Sequence, residues 1–189
     1  WLIEVVRSVL PQALVVPSAD YEIALVGALG RREGILILAG TGSLVYGINE
    51  AGESVLLGGW GYLLGDEGSG YWLGREGLRA VIAAEEGLSP PTSLHGALLA
   101  LGVATLRDLL PRLDGEAENP VRTIAGLAPL VLAAAQGGDA VSCAIASDGA
   151  KRLSQIVLEA MRRLGMTSPQ IAFSGGVLSE PNPLSETLQ

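Results

Sequence analysis

Residues 35–57 read ILILAGTGSLVYGINEAGESVLL, and this stretch decides the class of fold. It contains three apolar runs of strand length, at residues 35–39, 44–48 and 54–57. The gaps between the runs are short and rich in glycine and polar side chains. The stretch therefore predicts two consecutive hairpins that join three antiparallel strands.

The chain around these hairpins is mostly helical in pattern. The predicted helices cover residues 1–9, a segment from Ser18 or Asp20 to about 29, and residues 71–86, 94–101, 103–110, 120–137 and 139–164. Further strands are predicted at residues 13–16 and 170–174. Asp139 is expected to cap the longest helix, and Gly165 to end it. This order of elements predicts an α/β fold with a mixed sheet, antiparallel hairpins and packed helices.

Composition excludes several classes of function. The chain has 189 residues, a net charge of −8 and a pI near 4.6, which argue against nucleic acid and anionic membranes as partners. No apolar stretch reaches the length of a membrane span. One cysteine and one histidine exclude a disulfide within the chain and Cys- or His-based metal cages, so no residue is assigned to a metal. A reducing cytoplasm is the simplest location.

The first gap is a candidate anion site. Gly40-Thr41-Gly42-Ser43 can turn backbone N–H groups toward a phosphate, with two hydroxyl groups beside them. It is not a P-loop, because it has no lysine and leads into a strand. A plain hairpin turn explains the same residues.

A second glycine-rich stretch, residues 57–72, reads LGGWGYLLGDEGSGYW. Trp60 lies between Gly59 and Gly61, and carboxylates follow it, which suits a surface for a sugar or another polyol. The alternative is a glycine-rich turn before a helix, with Asp66 or Glu67 as the helix cap. Trp72 falls in the helical pattern and is expected in the core.

Four other sites remain, and all but Cys143 are open to two interpretations. Asp20 fits a helix cap or a general base. Gly175-Gly176, after a strand, fits a turn or the close approach of a flat ligand. His95 is expected on a helix surface or as a satisfied core residue, and Cys143 as a small core residue.

Taken in order, these segments resemble one family. Ser-Ala-Asp20, Gly-Ile-Leu-Ile-Leu-Ala-Gly-Thr-Gly-Ser43, Gly-Gly-Trp-Gly61 and Leu-Leu-Gly-Asp-Glu-Gly-Ser-Gly-Tyr-Trp72 are similar to the BadF/BadG/BcrA/BcrD-type ATPases, and within them to the N-acetylglucosamine kinases. Ala-Ala-Ala-Gln-Gly-Gly-Asp139 and Phe-Ser-Gly-Gly176 also match. The resemblance implies the two-lobed, ribonuclease H-like fold of actin, Hsp70 and hexokinase, with ATP between the lobes.

The resemblance also implies roles for single residues. Gly40, Thr41 and Gly42, with Ser43, would bind phosphate, and Asp20 would accept the proton of the sugar hydroxyl. The adenosine would lie near Gly175, Gly176, Ala134 and Ala135. The sugar would contact Gly59, Trp60, Gly61 and Asp66. ATP and Mg²⁺ are the implied cofactors, and an amino sugar the implied substrate.

One departure limits these expectations. The family's first phosphate loop, an Asp/Glu-Gly-Gly-x-Thr hairpin, is absent from these residues. We therefore expect residues 1–31 to be a remnant of the N-terminal lobe, residues 32–189 to be a C-terminal lobe without its final segment, and this stretch alone to be inactive. A homodimer is a candidate assembly. An ATPase that activates a dehydratase or benzoyl-CoA reductase, and an inactive sugar sensor, stay open as alternatives.

Overall fold

A four-stranded mixed sheet forms the centre of the computed structural model, which describes residues 1–15, 18–99, 105–109, 111 and 119–188. The strands are β1 (Gly34–Ala39), β2 (Ser43–Ile48), β3 (Ser54–Gly58) and β4 (Ile171–Ser174), in the order β3-β2-β1-β4. β2 is antiparallel to β1 and to β3, whereas β4 is parallel to β1. The predicted pair of hairpins and the mixed sheet are confirmed.

Eight α-helices surround the sheet within the described residues. They are α1 (Leu2–Val9), α2 (Asp20–Leu29), α3 (Gly70–Glu85), α4 (Leu94–Leu99), α5 (Pro120–Ala125), α6 (Ala128–Gln136), α7 (Ala140–Leu164) and α8 (Pro183–Thr187). A 3₁₀ turn covers Leu106–Leu109.

Strand β1 is apolar throughout because helices cover both faces of the sheet. Ile35 and Ile37 face the cluster that contains Leu153 of α7. Leu36 faces the opposite cluster, which contains Leu25 of α2. Such two-sided burial produces a continuous apolar run instead of alternation.

The long helix α7 begins at the cap predicted from the sequence. Asp139 is the N-cap, and its side chain accepts a hydrogen bond from the Ser142 N–H at 2.8 Å. It also accepts from the Ser93 N–H at 2.8 Å and from the Thr92 hydroxyl at 3.0 Å. Burial alone would raise the pKa of Asp139, but these bonds outweigh it and hold the pKa well below its usual range. Gly165 ends the helix in the left-handed conformation, as expected.

Helices α3 and α5 approach each other closely at Gly74. A Cβ at this position would lie 2.9 Å from the carbonyl carbon of Ile124 and would overlap its oxygen. Only glycine allows this separation, so a helix-interior glycine that has no local function is explained by the packing of α5.

The predicted helix over residues 120–137 is wrong as one element, because it is divided into α5 and α6. Gly126 and Leu127 separate the two helices. Pro129, in the first turn of α6, has no N–H to donate to the carbonyl of Ala125, so the hydrogen-bond ladder is interrupted there.

Three further predictions need correction. Residues 13–15 form no strand, and Leu14 is 87% exposed, because no sheet edge receives them; residue 16 lies outside the described residues. Of the helix predicted at 103–110, the described residues Leu106–Leu109 form a 3₁₀ turn. Cys143 is exposed, since it lies on the outer side of α7, and its thiol donates to the Ala135 carbonyl at 3.3 Å.

Two predictions remain partly or wholly untested. Residues 100 and 101 of the predicted helix at 94–101 lie outside the described residues. The lobe boundary between residues 31 and 32 stays a prediction. In the structure α2 packs directly on the sheet, with the ring of Tyr21 4.8 Å from that of Tyr46.

Candidate functional site

The turn between β1 and β2 is attached to the start of helix α3. The Gly70 N–H donates to the Gly40 carbonyl at 2.7 Å, and the Tyr71 N–H donates to the Thr41 carbonyl at 3.2 Å. Two consecutive turn carbonyls thus point at the helix. The turn therefore lies at the positive end of the α3 dipole, which favours an anion beside it.

Ser43 connects this turn to two other segments. It is 5% exposed, and its hydroxyl donates to the Glu67 carbonyl at 2.8 Å. Its own carbonyl accepts from the Gly59 N–H at 2.9 Å. The side chain predicted to help bind phosphate is thus buried and engaged in holding the segments together.

Asp66 lies against the same turn in a strained conformation. Its φ is 62°, which makes it the one described non-glycine residue with a positive φ, and it is 7% exposed. A Cβ at Gly42 would lie 2.6 Å from its Oδ2. A left-handed conformation at such a residue costs about 1–2 kcal/mol, which the surrounding structure must offset. Ser69, whose hydroxyl oxygen accepts from the Trp72 N–H, caps α3 in place of Asp66 or Glu67.

Trp60 is on an exposed loop next to the turn. Its side chain is 75% exposed, and both Gly59 and Gly61 have positive φ angles, of 68° and 80°. Trp72, by contrast, is 5% exposed in the core, as predicted. Exposure of so large an aromatic side chain carries no benefit to the fold, which leaves Trp60 available for a ligand.

A cavity of about 470 Å³ is lined in part by Gly40 and Thr41 of the same turn. Its walls come from the β1–β2 turn, the starts of α3 and α6, helix α5 and the segment after β4, and its lining residues are Gly40, Thr41, Gly70, Arg122, Ala125, Gly126, Ala128, Pro129, Leu132, Gly176 and Val177. This volume lies within the usual range of small-molecule sites.

The segment after β4 closes the cavity because it crosses the end of β1. Gly175 has a φ of 93°, and a Cβ there would lie 2.8 Å from the Gly40 nitrogen and would overlap the Ala39 carbonyl. The Val177 N–H donates to that carbonyl at 3.0 Å. The two glycine-rich segments at residues 40–43 and 175–176, distant in sequence, therefore meet at one place.

Other predicted site residues lie apart from the cavity lining. Ala135 is 5% exposed within the core, and Ala134 packs against a second core cluster. Earlier residues of α6, namely Ala128, Pro129 and Leu132, line the cavity instead. These residues were not predicted from the sequence; the available signal was Pro129, because proline is frequent in the first turn of a helix.

Asp20 is at the start of α2. Ala19 occupies the N-cap position, so Asp20 is the first helical residue and not the cap. Its Oδ1 accepts from the Tyr21 N–H at 2.8 Å. Within the described ranges its carboxylate makes no hydrogen bond to the glycine turn or to the Trp60 loop.

His95 is half-exposed on α4, and its Nε2 lies 2.8 Å from Glu85 Oε1, as expected for a surface residue.

The described residues contain no group of three or more His, Cys, Asp or Glu side chains that could hold a metal ion. No single described helix has the length and apolar character needed to cross a membrane. One pair, Pro120–Gln136 with Ala140–Leu164, meets those criteria together but is bent by 115°.

Comparisons with known proteins agree with this architecture. The chain is 33% identical over 184 residues to an N-acetylmuramic acid/N-acetylglucosamine kinase of Clostridium acetobutylicum, covering 96% of this chain and 60% of that protein. It is 34% identical over 166 residues to an N-acetyl-D-glucosamine kinase of Dictyostelium discoideum, covering 86% and 52%. The chain thus spans little more than half the length of these relatives.

Solved structures show the same fold. A candidate N-acetylglucosamine kinase of Chromobacterium violaceum superimposes with a TM-score of 0.73 at 28% identity, over 90% of this chain and 55% of that one. One from Porphyromonas gingivalis has a TM-score of 0.56 at 22% identity, over 100% and 70%. The expected α/β lobe of the actin-like ATPase type is confirmed. The family model described as "BadF/BadG/BcrA/BcrD ATPase family" matches residues 4–188, and the chain therefore belongs to that family.

Proposed function

We propose that the protein is an ATP-dependent kinase of N-acetylglucosamine or a related amino sugar. One observation carries the proposal: a nucleotide-sized cavity and an exposed tryptophan loop share a single glycine turn. Gly40 and Thr41 line the cavity, and Ser43 of the same turn holds Gly59 beside Trp60. A donor phosphate and an acceptor sugar can therefore meet at this turn.

The cavity fits a nucleotide in its chemistry as well as in its size. The side chains of Ala128, Leu132 and Val177 supply an apolar wall for the base. The turn at Gly40 and Thr41 supplies backbone and hydroxyl groups for the phosphates, with the α3 dipole behind them. The absence of a side chain at Gly175 lets the segment after β4 cross β1 closely enough for Gly176 and Val177 to join the cavity lining.

The sugar side rests on Trp60 and Asp66. The exposed Trp60 ring offers a flat apolar plate of the kind that packs against a pyranose ring. Gly65, the neighbour of Asp66, lies close to Trp60, since a Cβ there would be 3.3 Å from the Trp60 Cβ. Asp66 thus lies between the tryptophan loop and the turn, where its carboxylate can accept hydrogen bonds from sugar hydroxyl groups.

Transfer of a phosphoryl group from ATP to a sugar requires little covalent chemistry from the protein itself. Phosphoryl transfer depends mainly on positioning the two substrates and stabilising charge. Asp20 would accept the proton of the attacking hydroxyl, and its Oδ2 has no hydrogen-bond partner in the described part of the chain. Mg²⁺, held in such sites mainly through substrate phosphates and one or two carboxylates, would neutralise phosphate charge. A cytoplasmic location and a homodimer stay predictions.

The test is a coupled assay of the full-length protein with ATP and Mg²⁺. We expect ADP release that depends on N-acetylglucosamine, with N-acetylmuramic acid as a second acceptor and glucose for comparison. Hydrolysis of ATP without any sugar dependence would favour an activating ATPase instead. Sugar binding without turnover would favour a sensor. Either result would overturn the kinase proposal.

Asp20 can be tested in the same assay. Asp20→Asn should lower kcat by roughly 10²–10⁴, the usual contribution of a positioned general base. The thermal unfolding midpoint should change little, because the variant keeps an acceptor for the Tyr21 N–H. An unchanged kcat in Asp20→Asn would remove Asp20 from the mechanism without affecting the assignment of the substrates.

A further inference from the structure

Of the described residues that line the cavity, Arg122 alone has a charged side chain. The chain as a whole carries 20 Asp and Glu against 12 Lys and Arg, yet the residues of the described ranges that line this site include no Asp or Glu. The charge contributed by the described lining residues is therefore positive, in a protein whose net charge is −8.

Arg122 also differs from most other arginines of the protein. Arg75, Arg152 and Arg162, for example, each lie within 3.0 Å of a carboxylate oxygen. Arg122 is exposed and forms no ion pair with any residue in the described ranges. Its guanidinium group thus has donors that no described side chain occupies.

The backbone of Arg122 is held firmly. Asn119 caps α5, with its side-chain oxygen accepting from the Val121 N–H at 3.0 Å and from the Arg122 N–H at 3.4 Å. Two residues later, Ile124 is in close contact with Gly74 of α3. Helix α5, which carries Arg122, is therefore packed against α3, and the first residue of α3, Gly70, donates a hydrogen bond to the glycine turn.

We propose that Arg122 binds the polyphosphate of the nucleotide. The inference rests on the proposed nucleotide site. The turn at Gly40 and Thr41 offers only neutral donors, and the proposed Mg²⁺ would offset only part of the negative charge of a polyphosphate, so a cationic side chain would stabilise it further in this acidic protein. Guanidinium groups bind phosphate through two parallel hydrogen bonds. Stacking of Arg122 on the base is the competing interpretation.

The experiment compares two ligands on full-length wild type and Arg122→Gln. A non-hydrolysable ATP analogue is titrated by calorimetry, and adenosine binding is followed by ligand-observed NMR. We expect the analogue to bind Arg122→Gln about tenfold to a hundredfold more weakly, the loss typical of a charge-assisted hydrogen bond. Adenosine affinity should stay unchanged. Arg122→Lys, which keeps the charge but not the planar donors, should be intermediate.

Arg79→Gln is the matched control, since Arg79 is exposed on α3 and lies outside the cavity. It should bind both ligands like wild type, and all three variants should unfold at temperatures close to that of wild type. An Arg122→Gln protein that binds the analogue normally, or that loses analogue and adenosine equally, would overturn the role of Arg122 alone. A wild type that binds neither ligand would instead overturn the nucleotide site, and this inference with it.

Discussion

The contact between α3 and α5 predicts that one Gly→Ala substitution destabilises the protein although it favours the helix. In Gly74→Ala the gain in helix propensity is about 1 kcal/mol. This gain is opposed by steric overlap, because the new Cβ would lie 2.9 Å from the Ile124 carbonyl carbon and closer still to its oxygen. Because these are backbone atoms, no rotamer change relieves the overlap, and α5 must move by on the order of 1 Å.

Overpacking of a core typically costs about 1–3 kcal/mol, and a backbone obstacle places Gly74→Ala at the upper end. The net loss is therefore about 1–2 kcal/mol, which corresponds to a lower unfolding midpoint by about 2–8 °C for a chain of this size. Thermal and denaturant unfolding measure it. Because α5 lines the cavity, affinity for an ATP analogue should fall as well.

Gly27→Ala is the matched control in α2, where a new Cβ would meet nothing within 4 Å. It should raise the free energy of unfolding by up to about 1 kcal/mol, so the same substitution has opposite signs at the two positions. A Gly74→Ala protein as stable as Gly27→Ala would refute the close packing of α3 on α5.

The other predictions concern Asp139, Trp60 and Trp72. Asp139→Asn should destabilise the protein by about 1–2 kcal/mol at pH 7, because a neutral amide is a weaker acceptor for the α7 N–H and the Ser93 N–H. Because the pKa of Asp139 in the folded protein lies below the unfolded value of 3.8, the extra stability of wild type is present above about pH 4 and is lost as the pH falls further. Unfolding at pH 7 and at pH 3 checks this. An equal difference in unfolding free energy between wild type and Asp139→Asn at the two pH values would contradict it. Trp60→Ala should raise the sugar KM, while affinity for the ATP analogue stays within a few-fold. Calorimetric titration with each ligand checks this. An equal loss of affinity for both ligands in a folded protein would contradict the role of Trp60 in sugar binding. Trp72→Ala should instead cost about 3–5 kcal/mol of stability, measured by denaturant unfolding; a loss below about 1 kcal/mol would contradict its place in the core.

Features that depend on a few neighbouring residues were predictable from the sequence. The hairpins around residues 40–43 and 49–53 follow from strand-length apolar runs and glycine-rich gaps. The Asp139 cap and the Gly165 stop follow from the hydrogen-bonding needs of helix ends. Predictions were wrong where the structure of a segment depends on its tertiary contacts as well as on its local pattern. Residues 13–15, for example, have the apolar pattern of a strand but no sheet edge to pair with.

The grouping of the site depends on distant parts of the chain. Pairing of β4 with β1 brings Gly175 to the end of β1, more than a hundred residues away in sequence. The close contact at Gly74 and the break between α5 and α6 place Arg122 in the lining of the same cavity as Gly40 and Thr41. The amino-acid sequence by itself determined the two hairpins, the Asp139 cap, the Gly165 stop and the family motifs, because short-range sterics and hydrogen bonds specify them. Only the tertiary structure decided which residues share the cavity, because that depends on how helices pack on both faces of the sheet.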